Sequence, residues 1–485
     1  MTVAPEAPGR PRAVSGAPTR RAGGPRRRAA PGLVVGLLLT VLPVVASLVG
    51  AAGAFQLAYP VLAVASGAWL LLWARPEDYL EALVWVWVTA ALARRVLDHA
   101  AGYTNPSLVV LAPYLMTCVG VLAAAAHHRS VRGPVAVFLA GYACLLGVGV
   151  AVGLASGPPG PVAADALRWL APLCAGAFAV AAPFEAQSLA RCTRRVVVWL
   201  LPLVGLYGVW QWTTAPAWDA SWLRESEELV SSFGTDEPFG MRVWSTLNSP
   251  ATAAFCLSWL LLLALAQRLT AWTAVALAAG AAALSLTNVR AAWVALALAV
   301  LPLLLLSRSA RRQAALVVPV AVAVLVAAQP LRQNLLDRLG TLSTGLQDES
   351  VAARIGLQLE QAPSALRDLL GSGIGSTGTG ARLGPGGSQA VLANADSGYL
   401  ELLVTFGGPL GYALAVATVA VSVAAVLRLF VARPRVEALV PWACLVGTLP
   451  VSMLLGNSLT GMPGVLLLAG LGLLANNHLE RRGAG

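Results

Sequence analysis

Lysine is missing from this 485-residue chain: all 33 basic residues are arginine. We read that as the mark of a GC-rich genome and draw no function from it. Charge of either sign is scarce. Charged residues make up 11% of the sequence, against roughly a quarter in a soluble domain. Hydrophobic residues make up 58%, and the mean hydropathy is +0.73. A chain of this kind dissolves in lipid, so dividing its length by a typical domain size says little. The six cysteines (Cys118, Cys144, Cys174, Cys192, Cys256 and Cys444) are scattered, mostly inside apolar runs. They form neither a disulfide framework nor a zinc spacing. The four histidines, His99, His127, His128 and His478, show no metal-ligand spacing. No metal and no cofactor are expected. The net charge of +11 would suit nucleic acid, but the arginines sit mostly in short gaps between apolar runs. There they act as topology signals beside anionic headgroups. Membrane lipid is the expected partner, and nucleic acid is not. No internal repeat is visible, so pattern gives an inverted-repeat transporter no support.

What the chain does have is long apolar runs. A bilayer core of about 30 Å needs roughly 17–25 apolar residues per helix. Residues 33–53, 57–74, 80–97, 106–126, 133–155, 164–183 and 195–213 meet that need, followed by 248–268, 270–286, 290–307 and 312–328. Residues 398–428, 436–455 and 461–476 close the series. The expected fold is an all-α polytopic membrane protein of about 12–14 transmembrane helices. Residues 1–31 read as a disordered basic cytoplasmic tail before a retained first anchor. Residues 32–213 and 248–328 hold transmembrane helices, separated by a first extracytoplasmic loop at 214–247. A large extracytoplasmic loop with short helices fills 329–397, a last set of helices runs over 398–476, and 477–485 form a cytoplasmic tail.

Arginine placement orients the bundle. With the N-terminus inside, 22 arginines fall on the cytoplasmic side and 11 outside, seven of these in the two long loops where the rule is weak. Arg94 and Arg95 stand against it, with Asp98 near enough to offset one.

Four polar stretches carry the candidate chemistry. In the first loop, Glu225, Glu227 and Glu228 with Trp218 and Trp222 suit a short amphipathic helix lying on the membrane. Its end places Arg242 ahead of Asn248-Ser249-Pro250, with proline at the first helical position and Asn248 or Ser249 as cap. A helix N-terminus beside an arginine is an anion site. Second, Arg290 in Thr287-Asn288-Val289-Arg290 sits on the side the arginine rule disfavours; it either snorkels or marks a substrate path. Third, the large loop holds apolar positions at helical spacing over 349–369, with Arg354 among them, then Gly371-Ser372-Gly373-Ile374-Gly375. That glycine run lacks the lysine of a nucleotide P-loop and reads as either a phosphate cradle or a linker. Fourth, Asp396 ends the loop just before Ser397-Gly398-Tyr399-Leu400-Glu401, as a plain N-cap or as a general base.

The order of these pieces resembles the O-antigen ligase and O-antigen polymerase superfamily of bacterial membrane glycosyltransferases. Arg-x-x-x-Thr-x-Asn-x-Pro opens one span and Thr-Asn-x-Arg-Ala-Ala-Trp follows two spans later. After the large loop comes Asp-Ser-Gly-Tyr-Leu-Glu-Leu-Leu-Val-Thr-Phe-Gly-Gly-Pro-Leu-Gly. The resemblance covers roughly residues 240–430. It implies a metal-independent, inverting glycosyltransferase in the cytoplasmic membrane, both termini inside. Its donor would be a glycan on undecaprenyl diphosphate and its acceptor a saccharide hydroxyl on the outer face. It also implies partners in a polysaccharide flippase or export system. The family's diphosphate-binding arginines map onto Arg242 and Arg290, with Arg354 as a third. Asp396 takes the catalytic loop-exit position, and Asn248, Gly373, Gly375, Tyr399 and Glu401 are implied in substrate binding. Where the family often has His followed by Asn, this chain has Asp396 and Ser397, which favours polymerisation of a surface polysaccharide over ligation to lipid A. A flippase or other transporter for lipid-linked oligosaccharide, and an idle scaffold, remain as readings from other classes.

Overall fold

The computed structural model describes residues 30–127, 133–226, 230–268, 270–316, 349–384, 397–431, 437–454, 456–476 and 479. Apolar runs of the required length become helices almost wherever they occur. The first group is α1 (Pro31–Leu48), α2 (Ala52–Trp73), α3 (Pro76–Ala101), α4 (Leu111–Ala126), α5 (Pro134–Ser156), α6 (Pro159–Ala181) and α7 (Ala186–Thr214). The short α8 (Ala217–Glu225) and α9 (Val230–Phe233) precede α10 (Pro250–Leu265), α11 (Ala271–Leu286) and α12 (Arg290–Leu306). After the large loop's α13 (Glu349–Arg367) and α14 (Gly378–Leu383) come α15 (Gly398–Phe406), α16 (Gly408–Val431), α17 (Val440–Gly447), α18 (Leu449–Ser452) and α19 (Gly461–Leu474).

The described residues hold no strand, only one isolated bridge between Gly234 and Met241. Seven helices (α1, α2, α4 with the turn before it, α5, α6, α7 and α16) are long and apolar enough to cross a membrane, and shorter apolar helices accompany them. The protein is an all-α polytopic membrane protein. Leu72, Trp73, Val137, Leu305 and Val431 stay more than two-thirds exposed, apolar surface that suits lipid.

Lipid gives apolar faces little reason to prefer each other, so close packing of small residues must hold the helices together. Gly36 of α1 lies against the Trp85 ring of α3, and Gly205 of α7 meets the backbone of α11 at Ala279 and Gly280. Gly472 of α19 sits on the Gly176 carbonyl of α6. A side chain at any of these points would push two helices apart.

Three expectations change. Residues 398–428, read as one span, form two helices, because Gly407 adopts a left-handed φ of 81° between α15 and α16. Residues 436–455 are likewise broken, with a new helix starting at Leu449. The helix in the first loop is not laid on the membrane: Asp219, Ala220, Trp222 and Leu223 of α8 are buried in the protein. Residues 317–348, including most of the span expected at 312–328, lie outside the described residues.

The burial of α8 also accounts for the two arginines that broke the topology rule. Arg94 pairs with Asp98 at 3.1 Å and donates to the Thr104 carbonyl at 2.8 Å. Arg95 and Asp219 form an ion pair at 2.6 Å with side chains 1% and 0% exposed. Arg95 also donates to the carbonyls of Ser245 and Leu247. The other Asp219 oxygen accepts from the Tyr207 hydroxyl at 2.8 Å and Gln211 Nε2 at 2.7 Å. The opposite end of α3 is tied by charge too, with Arg195 of α7 bonded to Glu81 at 2.9 Å and paired with Asp78 at 3.3 Å.

Removing one partner of a fully buried pair leaves an uncompensated charge. Arg95→Met is therefore expected to cost about 3–5 kcal/mol, and Arg95→Met with Asp219→Leu to recover much of it. Thermal unfolding of the detergent-solubilised protein reads this out. The exposed pair Arg224–Asp236, 65% and 33% exposed, serves as control, since such a pair contributes only about 0–1 kcal/mol. A loss at Arg95 no larger than that of Arg224→Met would rule the account out.

Candidate functional site

Two polar clusters form at the same end of the bundle. Their common level follows from α4: Arg94 of α3 donates to Thr104 just before α4, and Tyr114 of α4 lies beside Gly461 at the start of α19.

The first cluster is built around Arg242. The segment leading from it to α10 is irregular yet buried through Leu247, so its backbone groups need partners. Gln211 Oε1 accepts from the amides of Trp244 (3.1 Å) and Ser245 (2.8 Å), and Arg95 holds the Ser245 and Leu247 carbonyls. Val243 donates to the Leu286 carbonyl at 3.1 Å, which lays the segment on the end of α11. The Arg242 guanidinium then donates to the carbonyls of Thr287 at 3.3 Å and Asn288 at 3.4 Å. Arg242 is thus brought onto the turn that ends in Arg290, the first residue of α12. Asn288 makes that turn with a left-handed φ of 57°, a conformation asparagine tolerates. Its side-chain Oδ1 is buried with no partner among the described residues. The cap of α10 is Ser249, whose hydroxyl accepts from the Thr252 amide at 3.2 Å, with Pro250 at the first helical position. Asn248 stands just outside the cap and is exposed.

The second cluster gathers the glycine run and the start of α15. Gly371, Gly373 and Gly375 all have positive φ, and the run is packed rather than loose. A Cβ on Gly373 would overlap the backbone of Gly153 in α5, and one on Gly153 would overlap the Ile374 carbonyl. The amides in this run are already engaged. Ser372 and Gly373 donate to the carbonyls of Val404 and Thr405, Ile374 donates to Gly149, and Gly375 donates to Asp165 Oδ2 at 3.1 Å. A phosphate would have to displace these bonds.

At the loop exit, Ser397 caps α15, accepting from the Leu400 amide at 3.4 Å. The cap role weighed for Asp396 is therefore filled by its neighbour. Asp396 itself lies outside the described residues, as does the Arg354 side chain on α13. The Tyr399 hydroxyl donates to the Pro450 carbonyl at 2.9 Å, and the Gly398 amide to Met453 at 2.8 Å.

Glu401 is 3% exposed and accepts from the Thr377 hydroxyl at 3.3 Å. It sits on a nine-residue helix too short to cross a bilayer. Burial pushes its carboxyl above the ordinary range, while Arg168 pulls it down and Asp165 pushes it further up. Asp165 and Arg168 did not stand out in the sequence. Their signal was an acid and a base three residues apart in an apolar run, the type of placement that marks interior polar sites in membrane helices.

Residues 273–416 match the family model described as O-antigen ligase, so this stretch of the chain is similar to that family. No curated protein matches the chain.

The packing of the glycine run makes a test. Gly153→Ala is expected to undock residues 371–376 and raise protease cleavage between 371 and 384, whereas Gly147→Ala, with open space around it, leaves cleavage unchanged. Equal protection in both variants would show that the run is held by other means.

Proposed function

We propose that this protein is a membrane glycosyltransferase that polymerises a surface polysaccharide. Its donor is a glycan on undecaprenyl diphosphate, and its acceptor is a sugar hydroxyl on the outer face of the cytoplasmic membrane. The observation that carries this reading is Arg242 resting on the Thr287–Asn288 turn, next in sequence to Arg290, although 48 residues separate the two arginines. The family match over 273–416 supports the reaction class. The arginine distribution supports the orientation, with both termini inside and both polar clusters facing outward.

The chemistry follows from the location. Nucleoside triphosphates are absent outside the cell, so the bond energy arrives with the lipid diphosphate. As the anomeric carbon–oxygen bond breaks, negative charge builds on the leaving diphosphate. Guanidinium groups with planar paired donors can stabilise that charge, aided by the positive end of α10. Inverting attack by the acceptor hydroxyl requires its proton to leave late, and a carboxylate suffices as base. We assign that task to Asp396. Arg354 is a third phosphate ligand in this reading. Asn248, Gly373, Gly375, Tyr399 and Glu401 line or shape the substrate site. The departure from His-Asn at Asp396-Ser397 favours polymerisation over ligation to a different acceptor.

Turnover of an undecaprenyl-diphosphate oligosaccharide by purified protein in proteoliposomes tests the assignment, with product length distinguishing polymerisation from single transfer. Arg242→Lys and Arg290→Lys keep the charge but lose the fork on phosphate oxygens. Each is expected to lower kcat/KM at least about tenfold, equivalent to about 1.4 kcal/mol of transition-state stabilisation. Wild-type rates in both lysine variants would remove the clamp.

Asp396 separates by substitution. Because Ser397 caps α15, Asp396→Asn should leave the melting temperature unchanged while turnover falls about 10²- to 10⁴-fold, as for loss of a general base. Asp396→His should retain more activity than Asp396→Asn. Full activity in the asparagine variant would move the base elsewhere, with Glu349, Glu360 and Tyr399 the next to test.

A further inference from the structure

The second cluster contains an ion pair that the reading so far leaves unused. Asp165 and Arg168 face inward on α6, Asp165 fully buried and the Arg168 side chain 18% exposed, joined at 2.8 Å. Neither interacts only with the other. Asp165 Oδ2 accepts from the Gly375 amide at 3.1 Å. Arg168 Nη2 donates to the Thr460 hydroxyl at 3.1 Å, and its Nη1 lies so close to Gly378 that a Cβ there would collide with it. Thr377, beside Gly378, bonds both Glu401 and Thr405 of α15 through its hydroxyl at 3.3 Å. One ion pair on a membrane helix thus holds the glycine run and the segment before α19 and lies against the start of α14, whose neighbour Thr377 carries the network on to α15.

We propose that Asp165 and Arg168 are positioning residues for the transfer reaction, holding the glycine run and the first turn of α15 in register against α6. This rests on the glycosyltransferase reading. The physical case is geometric. The glycine run of the large loop meets α6 through these contacts, and α15 begins one residue after its cap, Ser397. Gly371 is pressed against Val404, Thr405 and Gly407 with no space for a Cβ, and Gly373 against Gly153 of α5, so any shift of the glycine run moves α15 relative to α5. An ion pair suits this task better than apolar packing. Its bonds are directional, and its burial makes an alternative arrangement with an unpaired charge costly. Two carboxylates, Asp165 and Glu401, share the neighbourhood of one guanidinium, so loss of Arg168 would leave both uncompensated and drive the pieces apart.

The test uses the full-length protein in proteoliposomes, in a background where the six native cysteines are replaced. Two readouts run together. Ser156 Oγ lies 3.4 Å from the Ser372 carbonyl, so oxidative cross-linking of Ser156→Cys with Ser372→Cys reports docking of the glycine run. Turnover of undecaprenyl-diphosphate oligosaccharide reports chemistry.

Arg168→Gln is expected to slow cross-linking and to lower kcat about ten- to a hundredfold, since misplacement by an ångström is enough for such a loss. KM for the donor should stay within about twofold, because Arg168 does not hold the donor. Arg168→Lys should restore part of both signals. Should Arg168→Gln fail to fold, Thr460→Val and Thr377→Val each remove a single hydroxyl from the same network and carry the test. A lower melting temperature with unchanged cross-linking and unchanged kcat would overturn the proposal and leave the pair as a plain structural brace. A rise in donor KM at constant kcat would also overturn it, placing Arg168 in the donor site. If the wild-type protein turns over no donor, the glycosyltransferase reading fails, and cross-linking alone still decides whether the pair docks the loop.

Discussion

A charge inside a membrane protein must be answered by another charge or by hydrogen bonds, because no water is at hand to do it. That constraint shapes the Arg95–Asp219 pair, on which much of the candidate site around Arg242 depends. Both groups are buried, and each spends its remaining valences on neighbouring backbone or side chains. Arg95 fixes two carbonyls of the 245–247 segment, and Asp219 engages Gln211, which fixes the amides of Trp244 and Ser245. An irregular stretch of backbone becomes as determined as a helix. That stretch begins at Arg242 and ends at the cap of α10, so the pair sets where a guanidinium and a helix N-terminus stand relative to each other.

Arg242 in turn depends on a turn that few sequences would allow. The Asn288 residue must enter left-handed space so that the carbonyls of Thr287 and Asn288 point at the guanidinium while the chain continues into α12 at Arg290. These two carbonyls orient the guanidinium on the turn, beside the start of α12.

Much of the fold was legible in the sequence, because hydrocarbon thickness dictates the length of apolar runs and arginine marks their ends. The breaks were less legible. Gly407 lies in a run apolar on both sides, and nothing local announces that its φ will turn positive; the carbonyls that crowd it, those of Asp368 and Leu369, come from just past the end of α13. The Arg242–Arg290 turn could be guessed from motif order, but the partners of Arg95 could not. Asp219 is 124 residues away in a stretch whose acids and tryptophans read as a surface helix. The glycine run was ambiguous for the same reason. Composition cannot tell a flexible linker from a strip of backbone wedged against Gly149 and Gly153, since both need small residues. Asp165 and Arg168 were hidden by their helix: an apolar run that contains two charges still reads as a span, and only tertiary packing shows that both face inward.

The distribution of charge also bears on the choice between enzyme and transporter. A carrier for an anionic lipid-linked glycan needs polar groups along a path through the bilayer. Among the described residues, charges on the membrane helices collect at the two ends. Asp78, Glu81 and Arg195 are tied at one, and Arg95, Asp165 and Arg168 at the other. Between them the helix contacts are made mostly by small and apolar residues, as where Gly205 of α7 meets Gly280 of α11. The candidate clusters at one of these ends stand on a tightly packed bundle, a rigid frame of the kind that the proposed transfer between two sugars requires.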